Sequence, residues 1–471
     1  MNTSWNHPWG LSRIAHGLSR RAALKVGGMG LFGFTIPKLL RAAEQVSRST
    51  PSSRAKVRSI IFLFQWGGPS SIDMFDRKPD APEGIRGPLR SISSSLPGVP
   101  VCEGLERTAK ILKECTLIRT LHHTMSNHNS AGYYALTGHA PPSDDQRLRD
   151  SMDLYPAYGS VIDRLAPANA ELPTFVAYPH VISDGSITPG QHASFLGKAH
   201  DPLLFRQDPN LPDFGLPELS LPAGVSMERL QNRREMQKRI DQQTHLMDHA
   251  AGARGLDAYY DRALSMLQSP KLRKAFDIGS EPLAVREAYG RTTYGQSCLL
   301  ARRLAEVGSK FISVYFADTI GGISTESGGW DTHGFNNTRM FPIVQKFHLP
   351  ITDQTLPTLI TDLKDRGMLD TTLVVWVGEF GRTPKINGNA SRDHWPHCYT
   401  ALLAGAGVKR GFVYGASDKQ GAYPEENAVR PDDLAATLYH LMGIPPQTEI
   451  RDLADRPLPI SHGNVIEGIL A

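Results

Sequence analysis

The chain has 471 residues, of which 40% are hydrophobic and 21% are charged, so it can bury a sizeable core and does not have the composition of a disordered protein. Its 51 basic and 47 acidic residues leave a net charge of only +4. This near balance argues against a nucleic-acid-binding protein, which carries a strong basic excess on one face. None of the four cysteines forms a Cys-x-x-Cys pair, which argues against a cysteine zinc site.

The N-terminal segment has the pattern of an export signal. The twin arginines Arg20 and Arg21 precede a short, weakly hydrophobic, glycine-rich run and then small residues up to Ala43. This pattern predicts a twin-arginine signal peptide over residues 1–43 and a linker over residues 44–57. The protein is therefore expected in the periplasm or outside the cell. A stable membrane span is not expected, because no segment reaches the roughly eighteen apolar residues of a membrane helix.

Apolar runs and helical patterns alternate along residues 58–471, which are predicted to form a single domain. The first run, VRSIIFLFQWGG, is uninterrupted and predicts a strand buried on both faces. GLERTAKILKECTLIRTL predicts a helix and then a strand, and a charged helical insertion is predicted around residues 225–290. Further strands are predicted at LPTFVAYP, KFISVYFA, TTLVVWVG and YTALLAG, and further helices at NHNSAGYYALTG, YGQSCLLARRLAEVG, LPITDQTLPTLITDLKDRGM and RPDDLAATLYHLMG. The alternation predicts an α/β fold with a mainly parallel sheet and helices on both faces.

Polar clusters follow the predicted strands. GGPSSID follows the first strand, TLHHTMSNHNS the second, GGWDTHG comes after KFISVYFA, and GEFGRTP follows TLVVWV, with SRDHWPH a little further on. In sheets of this kind, ligands bind outside the carboxyl ends of the strands. Five polar clusters at one rim therefore predict a ligand site there.

The stretch ESGGWDTHGFNN places Asp331 two residues before His333. In an extended segment, residues i and i+2 point the same way, so this pair could offer an oxygen and a nitrogen to one cation. The alternative is a polar surface turn, since Gly, Asn and Asp are ordinary turn residues.

Several motifs together resemble a known family. DQTLPTLITDLKDRGMLDTTLVVWVGEFG resembles the late helix–strand unit of the alkaline phosphatase superfamily, and NHNSAGYYALTGHAPP resembles the helix after the nucleophile in its sulfatases and phosphodiesterases. With GGPSSIDMFDRKP, GGWDTHG, GEFGRTP and RDHWPHCYTALLAGAGVKRGFVYG, the chain resembles one branch of exported, sulfatase-like proteins whose domain has no known function. The resemblance covers nearly the whole mature chain. It implies a three-layer α/β/α fold and a rim built for divalent cations.

The resemblance also implies metal ligands. Asp331 and His333 would stand for the separated Asp and His of the family's first metal site. Glu379 lies where relatives have Asp-His on the late strand, so the carboxylate is kept and the imidazole is lost. Asp73 comes later than the Asp that relatives place directly after the first strand, and it is either a ligand or part of a structural turn.

Three further residues, Asp393, His394 and His397, lie about where relatives place their last histidine ligand. Carboxylates and imidazoles without thiolates favour zinc or manganese, and calcium is compatible if carboxylates dominate.

The nucleophile position is the largest departure from the family. The expected Cys, Ser or Thr position holds His128, and the Cys/Ser-x-Pro-x-Arg signature for formylglycine is absent. A formylglycine-type sulfatase is therefore disfavoured. Either metal-activated water attacks the ester, or Ser126 or Ser130 attacks while His128 or the metal takes the proton. Ser130 is equally well explained as a helix cap.

An anionic substrate fits the remaining features. The helix start near Asn129 would present N–H groups and a positive dipole end, and Arg382 would grip a sulfate or phosphate oxygen. A salt bridge to a neighbouring carboxylate is the alternative role for Arg382. Trp66, Trp330 and Trp395 border the clusters and either cover the core edge or stack on a sugar ring.

Two functions follow from these features. The first is an exported metal-dependent hydrolase of sulfate or phosphate esters, acting on a small anionic ester or a sulfated polysaccharide. The second is a non-catalytic exported binding protein that retains the fold and an anion pocket. Geometry separates them, because the ligands of a two-metal enzyme converge on positions roughly 3.5–4 Å apart. A binding protein would instead show scattered carboxylates, or Asp331 bonded to the backbone rather than facing His394.

Overall fold

The computed structural model describes residues 57–215, 268–318, 329–334 and 339–471, with six isolated positions between 229 and 266. The predicted signal peptide, nearly all of the linker and most of the predicted helical insertion lie outside the described residues. Among the helices that are described, none combines the length and apolar character needed to cross a membrane.

Eight strands form the central sheet: β1 Ser59–Phe64, β2 Cys115–Leu121, β3 Phe175–Tyr178, β4 Leu203–Leu204, β5 Phe311–Tyr315, β6 Thr372–Val377, β7 Tyr399–Gly405 and β8 Phe412–Tyr414. Their order across the sheet is β8-β2-β7-β6-β1-β5-β3-β4. Strand β7 runs antiparallel to β6 and β2, and every other neighbouring pair is parallel. The predicted α/β fold with a mainly parallel sheet is therefore confirmed.

The central strand β1 shows why the sheet is covered on both faces. All six of its residues are buried, and successive side chains of a strand point to opposite faces. Ile61 and Leu63 belong to one core cluster, whereas Ile60, Phe62 and Phe64 belong to a second. Because each cluster packs under its own helices, the domain has three layers.

The helices are α1 Glu83–Arg86, α2 Glu106–Ile111, α3 His128–Thr137, α4 Tyr158–Leu165, α5 Pro270–Phe276, α6 Leu283–Tyr289, α7 Thr293–Val307, α8 Met340–Ile343, α9 Leu349–Asp365 and α10 Pro431–Leu441. The first cluster includes residues of α2 and of α5 to α9, and the second includes residues of α3, α4 and α10. Short antiparallel pairs join Ser91–Ile92 to Val101–Cys102, Ser183–Asp184 to Ser186–Ile187, Gly381–Arg382 to His394–Trp395, Ala416–Ser417 to Pro424–Glu426, and Glu449–Arg451 to Pro457–Pro459.

Helix α3 begins at His128 and is followed by Gly138, which has the left-handed φ of 73° expected of a helix stop. Ser130 lies inside this helix, so the alternative that it caps the helix is wrong. Its buried hydroxyl instead accepts the N–H of Asp145 at 2.7 Å. The carboxylate of Asp144 binds the N–H groups of the two residues that precede the helix.

We expect Gly138→Ala to destabilise the fold more than Gly367→Ala. Both glycines have a left-handed φ, 73° and 67°, so alanine is strained at either position. Only at Gly138 does the added Cβ meet a neighbour, 2.2 Å from Cβ of Ala435 in α10, whereas Gly367 has nothing within 4 Å. The extra clash should cost about 1–3 kcal/mol. Urea unfolding of both variants measures the difference, and equal losses would contradict this account of the α3–α10 contact.

We also expect acid to weaken the fold through His139. Its ring stacks on Tyr155 with centroids 3.4 Å apart, and Nε2 lies 3.0 Å from the carbonyl oxygen of Ile460. Burial lowers the pKa of His139 to about 4, below the 6.5 of an unfolded histidine. As the pH falls, the unfolded chain therefore binds the proton before the folded chain does. The contribution of neutral His139 to the free energy of unfolding is complete above pH 6.5 and is lost as the pH falls towards 4.

The pH test compares wild type with His139→Gln. The wild type should lose up to about 3 kcal/mol from this residue between pH 7 and pH 4, and the variant should show a correspondingly shallower decline. Parallel pH profiles for the two proteins would show that His139 does not titrate as described.

Candidate metal centre

The site forms where several strands end at one edge of the sheet. Parallel strands β1, β5 and β6 end at the same edge, and the polar residues that follow them meet there. Glu379 follows β6, the segment containing Asp331 follows β5, and His128 opens the helix after β2. His394 joins them from the short strand pair beside Arg382. The predicted rim of polar clusters therefore supplies the site.

Gly67 allows the backbone after β1 to approach the site closely. Its φ is 104°, and a Cβ there would lie 2.3 Å from the backbone nitrogen of Asp331. Its N–H donates to Oε1 of Glu379 at 2.8 Å. Glycine at position 67 is therefore needed for close packing against the Asp331 segment. The family resemblance would place a metal-binding Asp directly after this strand.

Asp331 lies at the centre of the site, with both carboxylate oxygens engaged. Oδ1 lies 2.8 Å from Nη2 of Arg382 and 3.0 Å from Nε2 of His394. Oδ2 lies 3.0 Å from Nε2 of His333 and 3.5 Å from Nε2 of His128. Burial would raise the pKa of Asp331, but the Arg382 guanidinium, the strongest opposing cause, holds it well below the usual range. Asp331 is therefore ionised.

His128 is oriented by Glu379. Nδ1 lies 2.8 Å from Oε1 of Glu379, whereas Nε2 is buried and has no hydrogen-bond partner among the described residues. Oε2 of Glu379 is also buried without a partner. Burial lowers the pKa of His128, but the contacts with Asp331 and Glu379 outweigh it and raise the pKa to about 9. Two buried polar atoms without a partner in one site are the mark of a position that a bound ion or water occupies.

His394 gives the clearest argument for a cation. Its Nδ1 lies 2.8 Å from the carbonyl oxygen of Ser126, which only accepts hydrogen bonds, so this nitrogen carries the proton. Burial, the largest effect, lowers the pKa of His394 to about 4, so the ring is neutral at pH 7. Nε2 then points a lone pair at Oδ1 of Asp331 across 3.0 Å. Two such lone pairs repel each other unless a proton or a metal cation lies between them.

The donor set fits a divalent metal. One ligand atom from each of His128, Asp331 and His394 lies within 4.8 Å of the other two, and no other such trio occurs in the described part of the chain. Two imidazole nitrogens and one carboxylate oxygen suit zinc or manganese and leave a coordination position open for water or substrate. Glu379 and the Ser126 carbonyl hold the far nitrogens of the two histidines, as partners of metal-bound histidines usually do.

Of the other predicted ligands, His333 and Glu379 contact this trio and three residues do not join it. Asp73 is fully buried and receives hydrogen bonds from Ser70 and Arg392. Asp393 is exposed and accepts a hydrogen bond from Asn387. The ring of His397 packs against Trp395 and Tyr423.

The predicted anion grip by Arg382 is not what the structure shows. The side chain is buried and donates to the carbonyl oxygens of Gly67, Gly68 and Trp330 as well as to Asp331. The salt-bridge alternative is therefore the one observed, because the guanidinium is needed to neutralise a buried carboxylate.

The two serines differ in access to the site. Ser126 is exposed and gives its carbonyl oxygen to His394. Ser130 is fully buried and its hydroxyl contacts the backbone of Ser143 and Asp145. The aromatic residues also differ, because Trp66 and Trp330 are buried whereas Trp395 is half-buried.

Two residues that shape the site were not among the predicted site residues. His123 accepts the N–H of Met125 at Nδ1, so its Nε2 donates to the carbonyl oxygen of Glu379 at 2.7 Å. Phe380 stacks on His394 with ring centroids 4.5 Å apart. The His122–His123 pair after a strand was a visible signal for the first residue. For Phe380 the signal was the sequence Glu379-Phe380 at a place where relatives have Asp-His. Phe380 stands in the position of that histidine and packs on His394.

A family model described as a protein of unknown function (DUF1501) matches residues 57–470. The chain belongs to the DUF1501 family. No curated protein matches it. This DUF1501 protein is similar to the solved PsFucS1 sulfatase from Pseudoalteromonas sp., with 13% identity, a TM-score of 0.41, and coverage of 93% of this chain and 77% of that one.

Two further solved structures are similar to this DUF1501 protein. The lipoteichoic acid synthase LtaP from Listeria monocytogenes has 12% identity, a TM-score of 0.40, and coverage of 84% of this chain and 74% of that one. The phosphonate monoester hydrolase of Agrobacterium radiobacter has 12% identity, a TM-score of 0.35, and coverage of 87% and 76%. At these TM-scores, none of the three assigns an activity to this chain.

We expect Arg382→Gln to lower the free energy of unfolding by about 3–5 kcal/mol, because it leaves the buried Asp331 carboxylate without its cation. Adding Asp331→Asn removes that charge, so the double variant should be less destabilised than the sum of the two single variants. A urea-based double-mutant cycle measures the coupling. Additive losses would show that the pair does not interact as described.

Proposed function

We propose that this DUF1501 protein is an exported metal-dependent hydrolase of sulfate or phosphate esters, and not a formylglycine-type sulfatase. The observation that carries the proposal is the facing pair formed by Nε2 of His394 and Oδ1 of Asp331, with Nε2 of His128 completing the trio. A divalent cation bound by these atoms would satisfy all three of them. Asp331 also faces His394 rather than the backbone, as the hydrolase hypothesis expects.

The described residues support the proposal through distinct roles. His128, Asp331 and His394 would hold the metal, which when bound supplies Lewis-acid polarisation of an ester oxygen and lowers the pKa of water. Glu379 fixes the proton of His128 on Nδ1, and the Ser126 carbonyl fixes that of His394. Arg382 keeps Asp331 ionised and in place. In this scheme His128 is a ligand rather than the proton acceptor of a nucleophilic serine.

An anionic ester is the substrate class that this centre suits. A divalent cation attracts a sulfate or phosphate group, and the partly exposed His394 lies at the accessible side of the trio. Export rests on the twin-arginine pattern, and a periplasmic or extracellular ester, including a sulfated polysaccharide, follows from it as part of the same proposal.

Hydrolysis of 4-nitrophenyl sulfate, phosphate and phenylphosphonate by the full-length exported protein tests the activity. We expect turnover that a chelator abolishes and that zinc or manganese restores. Ser126→Ala and Ser130→Ala should retain activity to within a few-fold, because neither hydroxyl attacks the ester. Loss of turnover in a folded Ser126→Ala variant would instead identify a protein nucleophile.

The second candidate is a non-catalytic exported binding protein. It is favoured by one observation: the side chains predicted to grip an anion and to attack the ester, Arg382 and Ser130, are both buried and engaged elsewhere. Saturable binding of these esters to the metal-loaded protein, without turnover under any metal, would establish this candidate and reject the hydrolase.

We expect Glu379→Gln to weaken zinc binding about 10–100-fold, the usual effect of removing a carboxylate that orients a metal-bound histidine. Glutamine is nearly the same size as glutamate, but its neutral amide cannot form an ion pair with His128. Competition against a fluorescent zinc chelator measures the affinity, with Glu425→Gln as a control because Glu425 is exposed and outside the site. Equal affinities in the two variants would contradict the role given to Glu379.

A further inference from the structure

Two residues of the metal centre lie opposite each other on one β-hairpin, residues 381–395. Arg382 in its first strand pairs with His394 in its second strand. Arg382 neutralises the carboxylate of Asp331, and His394 supplies one ligand atom of the trio. A displacement of this hairpin would therefore move both side chains away from Asp331.

Arg392 ties the two limbs of the hairpin to each other and to the rest of the fold. Its side chain is buried, and Nη1 donates to the carbonyl oxygens of Thr383 and Pro384 in the opposite limb. Nε and Nη2 donate to the two carboxylate oxygens of Asp73, at 2.7 and 3.1 Å, and Nη2 also donates to the carbonyl oxygen of Ile85. Each of the five N–H groups of this guanidinium thus has an acceptor within the protein. Arg392 is therefore placed to hold the chain and not to bind a ligand.

Asp73 anchors this contact in the segment that follows β1. Its side chain is also buried. Arg382 donates to the carbonyl oxygens of Gly67 and Gly68 in the same segment. The hairpin is therefore attached to this segment at two points, by Arg382 beside the metal trio and by Arg392 at Asp73.

The hairpin also contacts the chain that follows Asp331. Nδ2 of Asn387 donates to the carbonyl oxygen of His333 at 3.1 Å, and Oγ of Ser391 accepts the N–H of Met340 at 2.9 Å. The hairpin thus bridges the chain after Asp331 and the segment after β1. Its position therefore sets how the ligand on the hairpin faces Asp331.

We infer that the buried pair of Asp73 and Arg392 positions the metal centre by fixing this hairpin. Held in this way, Nε2 of His394 lies 3.0 Å from Oδ1 of Asp331. Neither Asp73 nor Arg392 touches the metal in this scheme, and both act through Arg382 and His394. The inference rests on the proposed metal centre, and it gives Asp73 a positioning role in place of the ligand role that the family resemblance implies.

A second buried ion pair in the fold provides a matched control. Nη2 of Arg302 in α7 lies 2.8 Å from Oε1 of Glu281, and both side chains are buried. Arg302 also pairs with Glu306 and Asp362. These partners lie just before α6, on α7 and on α9, and they belong neither to the hairpin nor to the trio. Loss of the control pair should therefore destabilise the fold without moving the metal centre.

The test measures zinc affinity in the full-length protein by competition against a fluorescent chelator, at a temperature at which each variant is fully folded. Asp73→Asn and Glu281→Gln each remove a carboxylate from a buried arginine, so both should lower the free energy of unfolding. Only Asp73→Asn should also weaken zinc binding, by about tenfold, because only this change releases the hairpin.

A second pair of variants retains the charges and guards against a folding defect. Arg392→Lys keeps a cation beside Asp73 but loses the planar fork that joins Asp73 to the opposite limb of the hairpin. It should remain folded and bind zinc roughly fivefold more weakly than Arg302→Lys. Cobalt(II) in place of zinc reports the ligand geometry, so its visible absorption should change in Arg392→Lys and not in Arg302→Lys.

The outcomes separate this inference from the proposed function. Wild-type zinc affinity in both Asp73→Asn and Arg392→Lys would overturn the positioning role and leave the metal centre standing. Equal weakening in Asp73→Asn and Glu281→Gln would also overturn it, since lost stability and not the hairpin would then be the cause. No zinc in the wild type would instead reject the metal centre and the proposed function together with this inference.

Discussion

The buried carboxylate of Asp331 is the constraint on which the site depends. A buried anion needs a compensating cation, and the Arg382 guanidinium, 2.8 Å from Oδ1 of Asp331, provides it. This need explains why the Arg382 side chain is buried beside Asp331. It also explains the glycine at position 67, since a Cβ there would collide with the backbone nitrogen of Asp331. The remaining imbalance, two lone pairs facing each other between Asp331 and His394, is what a divalent metal would resolve.

The family resemblance and the structure together explain why this site departs from the expected pattern. Where relatives would have a ligand histidine after the late strand, Phe380 packs on His394 and His128. Where relatives have the nucleophile, His128 turns its Nε2 towards Asp331. Relative to the pattern that the resemblance implies, Phe380 stands in place of one imidazole and His128 adds another, so the number of nitrogen donors is the same. In the proposed hydrolase, a metal-activated water would be the attacking group.

Much of the fold could be predicted from sequence because its signals are local. The apolar run through Ile60 and Ile61 marks a strand buried on both faces, and Gly138 marks a helix end. The antiparallel direction of β7 could not be predicted, since YTALLAG is equally apolar in either direction. Within the site, Asp331 and His394 were predicted as ligands and do converge, but the partners of Arg382 and Asp73 depend on contacts between residues about fifty or more than three hundred positions apart.

The metal content of the protein, purified without chelator or affinity histidines, tests the central claim most directly. The comparison is between the double variants Asp331→Ala/His394→Ala and Asp393→Ala/His397→Ala, which change the same residue types inside and outside the trio. We predict one tightly held divalent ion in the wild type and in the second variant, and none in the first. No ion in the wild type, or equal loss in both variants, would contradict the account.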